Sequence, residues 1–151
     1  GEFDARVREL REKKARLRRD YRYRSRVIRE RIEGIAAQQE AERSGARCAL
    51  LCDRDGIVRR AGDAPLFAVR DDVIYAAPLD DVEWTLVAEA ARRAGIRWVE
   101  RPVGAAQLRL FDELFSFDCE GVSSIASCEG TPYLSLTAER IAAALAALPE
   151  R

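Results

Sequence analysis

The stretch Gly95 to Cys128, GIRWVERPVGAAQLRLFDELFSFDCEGVSSIASC, decides the fold. Ile96 to Val99 is short, apolar and rich in β-branched and aromatic side chains, which predicts a strand. Gly104 to Leu110 predicts a short helix. Leu114 to Phe117 and Val122 to Ala126 predict two more strands, joined by the turn Asp118-Cys119-Glu120-Gly121. Strand, short helix, strand, turn, strand is a pattern that a sheet must complete with strands from elsewhere in the chain.

Upstream, those strands are legible. Arg47 to Asp53 is an apolar run suited to a buried strand, and Asp53-Arg54-Asp55-Gly56 is a turn. Ile57 to Arg60, Pro65 to Val69 and Val73 to Tyr75 follow as strands, with Arg70-Asp71-Asp72 as a tight turn, so this region reads as successive hairpins. Pro78-Leu79-Asp80-Asp81 ends the hairpins and supplies caps for a helix from about Val82 to Ala94, stopped by Gly95. Downstream, Thr137 is a candidate cap for a final helix, Ala138 to Leu148.

The N-terminal region has a different character. Val7, Leu10, Leu17, Tyr21, Ile28, Ile32 and Ile35 recur at helical spacing from Asp4 to about Ser44. The pattern weakens at Asp20 to Ser25. The alternative is a helix, a short extended piece, and a second helix from Arg26 to Ser44. The expected class is α+β: a mixed, mostly antiparallel, barrel-like sheet with flanking helices, plus an Arg-rich N-terminal helix. Residues 1–20 are expected to be an appended helix and residues 21–151 one domain.

Composition narrows the chemistry. Net charge is zero, but residues 1–45 carry +5 and the remainder −5. The basic segment therefore suits a solvated helix face, its own domain or an acidic partner. The arginines around Tyr21 and Tyr23 are the one pattern suggestive of nucleic acid, and a neutral chain argues against that partner. There is no His, which removes the commonest acid–base group and metal ligand. Cys48, Cys52, Cys119 and Cys128 lack zinc-knuckle spacing and read as free thiols in a reducing cytoplasm. No run is apolar enough to span a bilayer, and no signal peptide is visible. Asp112-Glu113 stands between a helix and an apolar strand. It could be an acid–base pair, but carboxylates at such a turn more simply accept backbone N–H groups.

The same stretch resembles the C-terminal part of class IV aminotransferases, the fold-type IV pyridoxal-phosphate (PLP) enzymes that include branched-chain and D-amino-acid aminotransferases and aminodeoxychorismate lyase. Gly95-Ile96-Arg97-Trp98-Val99-Glu100-Arg101 is similar to their Gly-Ile-x-Val-x-Glu-Arg strand, and Phe111-Asp112-Glu113-Leu114-Phe115 to their Ala-Asp-Glu-Val-Phe. Glu40-Ala41 to Gly45-Ala46, Leu66 to Val69 and Ile74 to Leu79 continue the likeness in order. It covers about Tyr21 to Leu148, the larger domain of those enzymes, and no segment of this sequence matches their smaller N-terminal domain.

What the resemblance implies about chemistry departs from what stands in the chain. The Schiff-base lysine slot falls within Arg24 to Arg26. The glutamate that pairs with the pyridine nitrogen corresponds to Arg59-Arg60, and the phosphate-binding Gly-Ile-Thr-Arg turn to Asp80-Asp81-Val82-Glu83. The small turn after the DELF strand becomes Asp118-Cys119-Glu120-Gly121. Catalytic, cofactor-binding and metal residues are therefore expected to be absent. Arg24, Arg26, Arg60, Cys119 and Glu120 are the candidates for a degenerate cleft, and the arginines in it suit a small anion. The leading expectation is a homodimeric binding or scaffold protein without PLP catalysis. The rivals are a divergent PLP enzyme or a fragment of one, and an interaction module using the basic helix.

Overall fold

The computed structural model describes residues 23–29 and 48–149, together with 2, 3 and 5; for 23–29 and Cys48 only the backbone is described. Most of the expected N-terminal helix, the boundary at residue 20, Lys13 and Lys14 lie outside the described residues.

Among the described residues, nine strands form one sheet. They are β1 (Tyr23–Arg29), β2 (Cys48–Cys52), β3 (Val58–Ala61), β4 (Ala64–Arg70), β5 (Val73–Ala76), β6 (Arg97–Glu100), β7 (Glu113–Asp118), β8 (Gly121–Cys128) and β9 (Thr131–Pro132). The pairing runs β3-β2-β1-β8-β7-β4-β5-β6, with β9 beside β8, and a further β3–β4 pairing turns the first six strands back on themselves. The sheet is thus barrel-like. Only β1 with β2 and β8, and β5 with β6, pair in parallel.

One expectation needs correction. Arg26 to Arg29 fell in a helix under both sequence readings, but these residues are strand. Tyr23, Val27 and Ile28 favour extended backbone, and β1 is wedged between two partners, Arg26 beside Ala49 and Ser25 beside Cys128. Tertiary pairing overrides a helical period that was already weak there.

Among the described residues, two helices cover one face. α1 (Val82–Ala94) matches the expected span, and Gly95 closes it in the left-handed conformation at φ 72°. Trp84, near its start, donates Nε1–H to the Ala77 carbonyl. α2 (Leu136–Ala146) starts two residues earlier than expected, with Ser135 rather than Thr137 at its N-cap. Strand alternation divides the interior. Phe67, Val69, Phe115, Phe117 and Val122 face the helices, where they meet Leu86, Val87, Ala90 and Ile141. Phe67 stacks on Phe115 with ring centres 5.2 Å apart. The other face of β2, β3, β4, β7 and β8 supplies Leu50, Val58, Leu66, Leu114 and Ile125, the core enclosed by the strand ring. The 3-10 helix Ala105–Leu110 plugs this core with Leu108, whose carbonyl accepts the Tyr133 hydroxyl at 2.8 Å. Burial there pushes the Tyr133 phenol pKa up.

Asp112 and Glu113 are structural. Asp112 Oδ2 accepts the Asp71 N–H, fixing a β4–β5 turn in which Asp71 and Asp72 both take positive φ, 51° and 64°. Glu113 lies on the helix-facing side of β7, only 3% exposed. Its carboxylate accepts the Thr137 N–H at 3.0 and 2.8 Å and the Ala138 N–H at 3.1 Å. Ser135 makes no side-chain cap bond, so a strand residue caps α2 in its place.

Two outcomes are expected in urea unfolding. Glu113→Gln should lower stability by about 1–3 kcal/mol, because one charged acceptor of several buried N–H bonds is lost. An unchanged midpoint would refute the cap. On the same face of β8, the Ser124 hydroxyl is fully buried and unpartnered. Ser124→Ala should be neutral or stabilising, within about 1 kcal/mol, since the hydroxyl makes no bond to lose; a larger loss would reveal a partner.

Candidate functional site

The site is built where β3 approaches the start of α1. Asp81 is the N-cap residue, with extended backbone at φ −108° and ψ 147°. An Asp here ordinarily accepts first-turn N–H groups. This one makes no side-chain bond to its helix. Both its oxygens turn to Arg60, whose Nη1 donates to Oδ2 at 2.6 Å and Nη2 to Oδ1 at 3.0 Å. Nη1 also donates to the Asp63 carbonyl. The pair is half-buried, and the hydrogen bond to Asp81 is the main cause holding the Arg60 pKa above its ordinary value.

Arg26 pairs with Ala49 and Arg60 with Leu51, two residues apart on β2, so the strand register puts Arg26 and Arg60 on one face of the sheet. Arg24 and Arg26 lie on β1, at register with Ser127 and Ala49 respectively. Cys119 and Glu120 form the β7–β8 turn, where the Glu120 N–H donates to Asp118 Oδ1 at 2.8 Å. Cys119 packs against the helix-side core, as does Val82 at the start of α1. Cys52, Cys119 and Cys128 are free thiols. The geometry thus joins Arg60 to a residue that the candidate set omitted. Asp81 was visible in sequence as a helix cap and Arg60 as a cleft candidate; that they pair across twenty-one residues carried no local signal.

The position can be tested against the cofactor that the resemblance implies. Arg60 stands where the pyridine-nitrogen partner is expected, and Asp81 where the phosphate turn is expected. A ring cannot lie between two side chains in direct contact. A protonated pyridinium would meet a guanidinium, and a phosphate would meet the carboxylates of Asp80, Asp81 and Glu83. Arg60 and Asp81 thus hold each other at the two positions that the resemblance assigns to the cofactor.

The comparisons agree with the fold. A branched-chain aminotransferase from Thermoproteus uzoniensis, solved with norvaline, superimposes with a TM-score of 0.75 at 21% identity, over 82% of this chain and 50% of that one. A fold IV transaminase from Curtobacterium pusillum gives 0.75 at 16% identity, over 85% and 55%. An aminotransferase from Brucella abortus, bound to the co-factor PLP, gives 0.68 at 24% identity, over 74% and 42%. The chain therefore spans about half the length of these structures. No curated protein matches it in sequence. No helix among the described residues is long and apolar enough to cross a membrane. The amino-transferase class IV family pattern matches residues 6–126, and the chain belongs to that family.

Proposed function

We propose that this chain is a class IV aminotransferase-like domain that works as a cytoplasmic binding or scaffold domain, in a homodimer, without PLP catalysis. The direct contact of Arg60 with Asp81 carries the reading. It opposes a cation to the pyridine nitrogen and carboxylates to the phosphate, and it takes up the space between them. The lysine slot adds a second obstacle. A desolvated lysine can lose its proton and attack an aldehyde, whereas a guanidinium stays protonated and is no nucleophile. A small anion in this region would draw on the charge that Arg24 and Arg26 bring to β1, because Arg60 is already neutralised. Free thiols at Cys52, Cys119 and Cys128 suit a reducing compartment.

Incubation with PLP followed by absorbance spectroscopy tests the reading. The spectrum should remain that of free PLP, and borohydride reduction should leave no stoichiometric pyridoxyl adduct by mass spectrometry. A saturable adduct, abolished by replacing Lys13 and Lys14, would instead establish a divergent PLP enzyme. Sedimentation should give twice the mass of a single chain; a monomer would remove the homodimer.

A further inference from the structure

We infer that the Arg60–Asp81 ion pair is a clamp that fixes the start of α1 on the strand ring without any bound molecule. This rests on the reading that PLP is not resident here. Several other ion pairs are local. Arg59 meets Asp53 across one hairpin, Arg70 meets its neighbour Asp71, and Arg92 and Arg93 meet Glu89 within α1. Arg60 with Asp81 instead joins a helix to the ring.

Its geometry suits a clamp. Two parallel N–H···O bonds fix orientation as well as distance, which a single contact on a flexible side chain does not. The arginine stands on a firm base. Its backbone is paired with Leu51 on one side and Pro65 on the other, and its Nη1 is shared with the Asp63 carbonyl in the β3–β4 hairpin. At this end Val82 and Trp84 pack on the helix-side core and Trp84 bonds the Ala77 carbonyl, and the bidentate pair adds a tie to β3. α1 packs along its length on β4, β6, β7 and α2. Its N-cap carboxylate is diverted from its own first-turn amides to reach β3. A residue that forgoes its usual helix cap for a long-range partner marks where the positional constraint lies. The hairpin and the helix start therefore form one unit, and the position of α1 should not depend on ligand.

A double-mutant cycle tests this on the full chain. Arg60→Gln and Asp81→Asn are each expected to lower the thermal midpoint by about 3 °C. They should also speed amide exchange in the first turn of α1 by about tenfold. The double variant should be no worse than the weaker single variant. Arg60→Lys keeps charge but loses the bidentate fork, so a partial effect is expected, and this milder variant serves if Arg60→Gln fails to fold. Additive effects, or first-turn exchange unaltered in both single variants, would overturn the clamp. A parallel arm adds PLP or inorganic phosphate to the unaltered chain, where midpoint and exchange should not move. Saturable stabilisation by PLP in that arm would overturn the proposed function, while the cycle judges the clamp separately.

Discussion

A carboxylate buried in an apolar layer is tolerable only when its lone pairs are occupied, and the arrangement of this fold follows from how Glu113 meets that condition. Its side chain projects into the helix-side core beneath α2, where the helix's leading N–H groups are the donors available. The bond between strand and helix therefore satisfies both at once. It fixes the depth of α2 against β7 and brings Leu134 alongside Glu113 as an isolated bridge. The neighbouring Asp112 acts on the opposite side. Its backbone N–H donates to the Val69 carbonyl and its side chain holds the β4–β5 turn. One adjacent acidic pair thus ties a ring strand to a helix and to a hairpin, a structural use for residues that could have been read as acid and base.

The two helices are anchored by complementary means. At α2 a strand supplies the anion and the helix supplies bare N–H groups, so the macrodipole adds to the attraction. At α1 the helix supplies the anion, Asp81, and a strand supplies the cation, Arg60. Both anchors sit at helix N-termini and both reach strands of the ring. Phe67, Phe115 and Phe117 are part of the apolar layer between them. Hydrophobic packing is non-directional, so it holds the helices against the sheet without fixing where each one starts. The charged contacts supply that register.

This division explains what could be read from sequence. Strands β2 to β8 and α1 were legible because their signals are local: apolar runs, turn residues and a glycine stop. The family likeness was legible because Gly95 to Glu100 and Phe111 to Phe115 keep their order and spacing. β1 was only half-legible, since its strand state comes from partners on both sides rather than from its own period. β9, two residues long, exists only through its pairing with β8. At the candidate site, the exchanged charges could be read one by one. That Arg60 and Asp81 answer each other could not, because a pair twenty-one residues apart on a hairpin and a helix leaves no periodic trace.

That mutual dependence bears on what the domain can still become. A half-buried arginine without its carboxylate, or the carboxylate without its arginine, leaves a desolvated charge uncompensated, and that state is worse than either the pair or a neutral substitute. The two positions are therefore locked to each other. An acidic group at position 60 would face Asp81 as a like charge, and a small residue at position 81 would leave the Arg60 guanidinium without its bidentate partner. Either single change would weaken the hold on α1. The Arg60–Asp81 pair is thus an element of the fold, held on terms set by the chain's own side chains.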